Sequence, residues 1–267
     1  VLFEGSVYDE KTEPDYNATN LVAHELAHQW WGDVLTCRNW NEIWLNESFA
    51  TYYQCLYTEH LLGKDEFDYN IYRNGNDAIK VDSTTRKPIY TREGLTTNTY
   101  DKGSVVLNML RYLMGDEKFR KTMNIFITKN EFKPVVTKDL SDALHAALDN
   151  PLLDQMPANM NWFFNEWIYN AGQPEFKVDY TYDEASKEIT LNAVQVQRMD
   201  SSSVFKTPVP IEIITETGRQ SITMETSADV KTYKIKVDSK PLNINFNKGN
   251  KVLCKLYFSK PKNDWLY

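Results

Sequence analysis

The sequence predicts an α+β protein, with a mainly helical first part followed by a smaller β-rich part. In residues 19–171, apolar side chains recur every three or four positions, which is typical of amphipathic helices. After Pro174, apolar and polar residues alternate in short stretches between turn-forming residues, which indicates β-strands. Since Gly172 and Pro174 separate the two patterns, we expect two domains, residues 1–173 and residues 174–267.

The first domain opens with an alternating stretch, Val1–Tyr8, that predicts an edge strand. The helix that follows has Thr19 or Asn20 as its N-cap. Its apolar stripe is expected to pack on a core and consists of Leu21, Val22, Leu26, Ala27, Trp30 and Trp31. A second helical pattern covers Trp40–Tyr53. Five further helices are predicted at Gly63–Arg73, Tyr100–Gly115, Asp116–Asn130, Thr137–Leu148 (with Thr137 as N-cap) and Asn159–Ala171, with a loop at residues 82–99.

The second domain contains about seven short strands with turn signals between them, a pattern that predicts a β-sandwich. The predicted strands are Phe176–Tyr182, Ile189–Val196, Val209–Ile214, Ser221–Glu225, Thr232–Val237, Leu242–Phe246 and Cys254–Phe258.

The motif with the clearest chemistry is His24-Glu25-Leu26-Ala27-His28, followed after eighteen residues by Glu47. Two histidines four positions apart project from the same face of a helix, so both imidazoles can bind one metal ion. Catalytic zinc takes three protein ligands and keeps one position open, and Glu47 is the expected third ligand. It is an acid on the largely apolar face of the next helix, where an unpaired carboxylate is costly to bury. In this motif the glutamate acts as general base in peptide hydrolysis, which assigns that role to Glu25.

Composition narrows the range of partners. The formal net charge is −7 and no cluster of Lys and Arg stands out, which argues against a nucleic-acid surface. No apolar run reaches the eighteen residues of a membrane span. The three cysteines allow at most one disulfide. This number does not distinguish a reducing cellular compartment from an oxidising one.

Four segments together resemble the M1 family of zinc aminopeptidases, the gluzincins related to aminopeptidase N. They are His24–Asp33, Trp44–Ala50, Tyr100–Ser104 and Trp162–Pro174. The resemblance implies a thermolysin-like catalytic domain in residues 1–173 and a small β-sandwich in residues 174–267. It implies one Zn²⁺ ion held by His24, His28 and Glu47, and peptide substrates cleaved at their N-terminal residue.

The resemblance also gives a role to Tyr100, which composition and spacing alone do not select among sixteen tyrosines. The tyrosine of this segment is catalytic in the family, so we expect Tyr100 to donate its phenolic proton to the oxyanion of the tetrahedral intermediate. Glu25 is expected to activate the water that zinc binds, and to pass a proton to the leaving amine.

Related enzymes carry a Gly-Ala-Met-Glu-Asn segment before the zinc helix, whose glutamate binds the α-amino group of the substrate. That segment does not occur in this sequence. We therefore expect the chain to correspond to the central portion of a longer aminopeptidase, whose N-terminal and C-terminal domains pack against it. Amine recognition is then not encoded on these residues.

Two alternatives remain open from the sequence. One is an endopeptidase or an epoxide hydrolase that uses the same zinc centre, which differs in its products. The other is a non-catalytic scaffold or inactive fragment with the same fold. Relatives that lose activity tend to lose the metal ligands as well, and all five candidate residues, His24, Glu25, His28, Glu47 and Tyr100, are present.

Overall fold

The computed structural model describes residues 11, 18–148, 160–197, 204–226 and 230–266. Contacts between residues group the chain into two compact units, residues 1–171 and residues 172–267. The division lies two residues before the boundary that the sequence suggests. The predicted edge strand at Val1–Tyr8 lies outside the described residues.

The described part of the first unit is mainly helical, as predicted. Its helices are α1 (Thr19–Ala27), α2 (Trp44–Leu62), α3 (Lys64–Asp82), α4 (Gly103–Met114), α5 (Asp116–Asn130), α6 (Thr137–Ala147) and α7 (Asn161–Phe164). Three further described segments depart from the regular α-helix. Asn98–Lys102 and Asn165–Tyr169 form wider, π-helical turns, and in Gln29–Val34 the backbone is kinked at Trp31 and Gly32.

The helix α3 continues nine residues past the predicted end at Arg73. The sequence Asn74-Gly75 favours a helix end, but both residues are buried inside α3. Asn74 Nδ2 donates a hydrogen bond of 3.0 Å to Ser104 Oγ of α4. Tertiary packing therefore overrides the local signal. The loop predicted at residues 82–99 is present but shorter, at residues 83–96.

Two predicted N-caps are wrong. The N-cap of α1 is Ala18, which has no polar side chain to cap the helix, so Thr19 and Asn20 both lie inside α1. The Asn20 side chain instead accepts a hydrogen bond from Thr58 Oγ1 of α2. Thr137 is the first residue of α6 rather than its cap. The Asp139 carboxylate accepts a hydrogen bond from the Val136 backbone N–H at this helix start, which suits an acid in the first turn.

The apolar stripe of α1 is buried only in part. Ala27 and Trp31 are buried, whereas Val22, Leu26 and Trp30 are 44%, 59% and 49% exposed. The three exposed residues follow each other at intervals of four and form one ridge. The prediction that the whole stripe packs on a core is therefore wrong, because α2 packs on α1 from one side. We refer to Val22, Leu26 and Trp30 as the open ridge of α1.

A short parallel sheet that the sequence does not predict follows α1. Its strands are β1 (Leu35–Cys37) and β2 (Lys133–Val135), and each has three residues. The backbone N–H of Arg38 extends the pairing to the Val135 carbonyl at 2.9 Å. Strands this short show no alternation that a sequence pattern can reveal.

The second unit contains all seven predicted strands. They are β3 (Glu175–Asp183), β4 (Glu188–Gln195), β5 (Pro208–Thr215), β6 (Gly218–Glu225), β7 (Val230–Lys236), β8 (Pro241–Phe246) and β9 (Lys255–Ser259). One sheet has the strand order β7-β4-β3-β9 and the other β6-β5-β8. All pairs are antiparallel except β3 with β9.

The two sheets of this unit share one apolar core. Every second residue of β4 is buried, as expected for a strand with one face on a core. Phe176 of β3 and Phe246 of β8 meet between the sheets with ring centroids 5.3 Å apart. This arrangement agrees with the predicted β-sandwich. In the described part of the chain, none of the helices is both long and apolar enough to span a lipid bilayer.

Candidate metal centre

Three structural elements bring the predicted site residues together. The helix α1 and the residue after it carry His24, Glu25 and His28, and the first turn of α2 carries Glu47. The π-helical segment Asn98–Lys102 carries Tyr100. Because α1 packs on α2 and this segment packs on both α2 and α3, residues far apart in sequence converge on one point.

Two histidines and one carboxylate form the candidate metal-binding group. His24 Nε2 and His28 Nε2 lie 3.1 Å apart, and Glu47 Oε2 lies 3.5 Å from the first and 3.3 Å from the second. Tetrahedral zinc with bonds of about 2.0–2.1 Å places its ligand atoms about 3.3 Å from each other. The three donors therefore have the chemistry and spacing that zinc requires, and this is the one such group among the described residues.

The charges in the group favour an ionised carboxylate. Burial alone raises the pKa of Glu47, but hydrogen bonds with His24 and His28 outweigh it and lower the pKa to about 2. The hydrogen bond to Glu47 raises the pKa of His28, against the opposing effect of burial. A divalent cation interacts favourably with the same carboxylate and with neutral imidazoles.

The orientation of His28 is fixed by a backbone group. Its Nδ1 lies 3.0 Å from the carbonyl oxygen of Trp31. We assign the proton to Nδ1, because a carbonyl can only accept, and Nε2 then keeps its lone pair for a metal. The Trp31 carbonyl reaches this position because the chain widens after α1, where Asp33 N–H bonds to the His28 carbonyl. Sequence reasoning missed this partner, since a backbone carbonyl leaves no signal in residue type.

A cavity of about 490 Å³ lies over the donor group. Glu25 and Tyr100 line it together with the three donor residues. Glu25, His28 and Tyr100 therefore face the same space. A molecule that reaches the donors therefore enters a space lined by the carboxylate of Glu25 and the phenol of Tyr100, with Asp33 also in the lining.

Tyr100 lies against His24, with nearly parallel rings whose centroids are 6.1 Å apart. Burial, followed by the charge and hydrogen bonding of Glu47, raises the pKa of Tyr100 to about 12. The phenol is therefore protonated at neutral pH and can donate a hydrogen bond. A second cavity, of about 670 Å³, shares His24 and Tyr100 with the first.

The remaining two histidines, His60 and His145, are not part of the donor group. His145 Nε2 accepts a hydrogen bond from the Met160 backbone N–H. His60 is exposed near the end of α2. Among the aromatic residues in and beside α1 and α2, Trp31, Trp44 and Tyr52 are buried. Trp40 is 65% exposed and, like Trp30, does not belong to the core.

Sequence reasoning also missed Glu42, a buried acid that precedes α2. Its Oε2 accepts hydrogen bonds from the Thr137 backbone N–H at 2.9 Å and the Thr137 hydroxyl at 2.6 Å. The same hydroxyl accepts from Trp44 Nε1 at 2.9 Å. Glu42 thus ties the start of the Glu47 helix to the start of α6. Its spacing fits no motif, and only the fold reveals its partners.

Comparison with known proteins gives a consistent set of relatives. The model of the peptidase family M1 domain matches residues 4–167. Tricorn protease-interacting factor F2 of Thermoplasma volcanium is 29% identical over 78% of the chain, and Probable aminopeptidase 1 of Sulfurisphaera tokodaii is 27% identical over 92% of it. Rat aminopeptidase N is 29% identical over 63% of the chain.

The chain spans only part of each relative: 26% of factor F2, 31% of Probable aminopeptidase 1 and 19% of rat aminopeptidase N. Among solved structures, aminopeptidase A of Legionella pneumophila, in complex with aspartic acid, matches 92% of the chain and 28% of its own length. The TM-score is 0.70 at 16% sequence identity, so this likeness concerns the fold.

Proposed function

The chain belongs to peptidase family M1, and from this premise we propose that it is the hydrolytic core of a zinc aminopeptidase. The observation that carries the proposal is the convergence of His24, His28 and Glu47 beneath a cavity that Glu25 and Tyr100 also line. Substrates are peptides, and the scissile bond follows the N-terminal residue, as the names of the relatives suggest.

In this proposal His24, His28 and Glu47 hold one zinc ion. When bound, zinc acts as a Lewis acid and makes water a stronger acid. Glu25 removes a proton from the attacking water as its oxygen bonds to the peptide carbonyl carbon. Glu25 then delivers that proton to the amine nitrogen as the carbon–nitrogen bond breaks. The two proton transfers leave Glu25 unchanged after each cycle.

Tyr100 acts on the carbonyl oxygen. A pKa of about 12 keeps its phenol protonated, so it donates a hydrogen bond to the oxyanion that develops as water attacks. A single donor of this kind contributes about 10²–10³ in rate. The Trp31 carbonyl has an indirect role, because it holds the Nδ1 proton of His28 and so directs Nε2 toward the donor group.

The long relatives suggest that this chain works within a larger polypeptide. We propose that further domains pack against it and supply the group that recognises the free α-amino end of the substrate. Exopeptidase specificity then depends on those domains, while the chemistry of bond cleavage resides in the residues described here.

The replacement Glu25→Gln tests the function directly. It removes the base but no metal donor, so we expect zinc content to stay at one ion per chain and kcat to fall by about 10²–10⁴. Zinc is measured by atomic absorption and hydrolysis with an aminoacyl reporter, using this chain and any longer chain that contains it. Glu216→Gln, in the exposed turn after β5, is the matched control.

Three outcomes contradict the proposal: no zinc in the wild-type protein, normal hydrolysis by Glu25→Gln, or no hydrolysis by the longer wild-type chain. Product analysis separates the exopeptidase from the alternative of an endopeptidase. Stepwise release of free amino acids supports the former, and internal fragments support the latter.

A further inference from the structure

Residues 98–104 carry Tyr100 and the start of α4, and we call them the Tyr100 segment. Gly103 of this segment lies very close to Ser48 of α2. A Cβ atom built on Gly103 would lie 1.7 Å from Ser48 Oγ and 2.5 Å from Ser48 Cβ. Ser48 is completely buried. Because Ser48 Cβ is fixed to the backbone of α2, no side-chain rotation makes room for both. Glycine at position 103 is what allows the two elements to touch here.

A hydrogen bond crosses the same contact. The Ser48 hydroxyl donates to the Thr99 carbonyl oxygen at 2.7 Å. Ser48 directly follows the candidate ligand Glu47, and Thr99 directly precedes Tyr100. Adjacent residues on a helix point about 100° apart, so α2 can direct Glu47 toward the imidazoles and Ser48 toward the Tyr100 segment.

The segment is also held from the side of α3. Asn74 donates to Ser104 Oγ at 3.0 Å, and that hydroxyl donates to the Asp101 carbonyl oxygen at 2.8 Å. Asn74 and Ser104 are both buried. Tyr100 therefore lies on a short stretch of chain that is fixed on both sides, and the contact between Ser48 and Gly103 determines how close this stretch comes to Glu47.

We propose that Ser48 and Gly103 are positioning residues that set the location of the Tyr100 hydroxyl relative to the metal donors. The inference rests on the proposed function of Tyr100 and adds to it the device that places the phenol. Neither residue contacts the substrate in this proposal. Their effect on the reaction passes through the position of Tyr100.

The expected displacement is large enough to matter for catalysis. An alanine at position 103 must move its Cβ from 2.5 Å to about 3.5 Å from Ser48 Cβ to reach an ordinary contact. The start of α4 must retreat by about 1 Å. A misplacement of about 1 Å can cost up to about 10²-fold in rate, and it leaves the donors on α1 and α2 in place.

Three variants test the device: Gly103→Ala, Ser48→Gly and the double variant. We expect Gly103→Ala to lower kcat at least tenfold, with KM and zinc content within twofold of the wild-type values. In the double variant the missing Ser48 side chain makes room for the new methyl group, so kcat should recover at least threefold relative to Gly103→Ala. If the steric defect of Gly103→Ala and the hydrogen-bonding defect of Ser48→Gly were independent, their free-energy effects would add. The double variant would then be less active than either single variant.

An independent readout follows Tyr100 without relying on activity. In protein with ¹³C-labelled tyrosine rings, the NMR signal of Tyr100 is assigned by its loss in Tyr100→Phe. We expect this signal to shift in Gly103→Ala and to return toward the wild-type position in the double variant. Ser141→Gly, a buried helical serine on α6, is the control and should change neither kcat nor the Tyr100 signal.

The proposal is overturned if the double variant is no more active than Gly103→Ala, or if Gly103→Ala has wild-type kcat. If Gly103→Ala does not fold, Ser48→Gly decides: loss of its bond to Thr99 should lower kcat severalfold and shift the Tyr100 signal, and no change in both refutes the device. If the longer wild-type chain hydrolyses nothing, the proposed function fails. The Tyr100 signal then decides the positioning role alone, and an unshifted signal in Gly103→Ala refutes it.

Discussion

The helical unit and the β unit differ in how regular their secondary structure is. The β unit has regular alternation along β4 and seven strands where the sequence predicts them. The described part of the helical unit contains three irregular helical segments and a completely buried lysine, Lys102. Two of those segments, Gln29–Val34 and Asn98–Lys102, flank the candidate metal centre. Irregular helical turns are frequent at functional sites, and two of the three irregular segments lie beside the candidate metal centre.

The largest expected effect is on metal retention, from Glu47→Ala. Even the loss of an outer hydrogen-bond partner of a metal site costs about 10–100-fold in affinity, so removal of a direct ligand should weaken zinc binding by more than about 100-fold. Zinc per chain after dialysis against a chelator measures the effect. The same treatment should lower the thermal midpoint of wild-type protein, because a bound ligand stabilises the folded state.

The control for this variant is Glu216→Ala, which removes an exposed acid of the β unit. It should retain zinc as the wild type does. Equal zinc retention by Glu47→Ala and the control would point to a different third ligand and would remove the main functional distinction between the two units.

Tyr100→Phe should affect the reaction but not the metal. The loss of one oxyanion donor lowers kcat by about 10²–10³, or about 2.7–4 kcal/mol, while zinc content stays at the wild-type level. Steady-state kinetics together with metal analysis measure both quantities. Tyr182→Phe, on β3, is the matched control in the β unit. Loss of zinc from Tyr100→Phe would assign the residue a structural role instead.

Glu42→Gln tests whether the helical unit relies on its buried polar contacts. The Glu42 carboxylate accepts two hydrogen bonds from Thr137, and hydrogen bonds to charged groups contribute about 1.5–3 kcal/mol. We expect the free energy of unfolding, measured in urea, to fall by about 1–3 kcal/mol. The exposed Glu117 of α5 provides the control, since Glu117→Gln should change it by less than about 0.5 kcal/mol. Equal effects of the two substitutions would mean that the bonds to Thr137 contribute little.

The smallest effect is expected in the β unit. Ile213 is fully buried on β5, and Ile213→Val removes one methyl group at a cost of about 0.5–1.5 kcal/mol. Urea unfolding gives this value, and zinc content and kcat should not change. A change in kcat of tenfold or more would show that the β unit influences the chemistry, and would contradict the division of roles between the two units.

The sequence predicted most elements because their signals are local. The alternation after Pro174 identifies strands, and the spacing of His24 and His28 brings two imidazoles to one helix face. The predicted N-caps Asn20 and Thr137 also rest on local sequence, but they are wrong, and the side chains of both bond to distant residues, Thr58 and Glu42.

Other features could not be read from the sequence, since they depend on tertiary contacts. The carbonyl of Trp31 that orients His28 has no signature in residue type. The partner of Gly103 lies fifty-five positions earlier, at Ser48, and a glycine after a lysine carries no sign of that contact. The burial of a side chain also depends on tertiary contacts. Trp30 and Trp31 are adjacent and of the same type, but only Trp31 is buried, against Phe49 and Tyr53 of α2 and Phe126 of α5.

The open ridge of α1 has a practical consequence for handling the protein. This ridge exposes three large apolar side chains to solvent, in and directly after the helix that carries the histidines: Val22, Leu26 and Trp30. Concentrated solutions of this chain should therefore self-associate through that helix. On a regular helix Val22 and Leu26 point about 160° away from His24 and Trp30 about 120° away, so charged replacements there offer a route to monodisperse samples that spares the imidazoles.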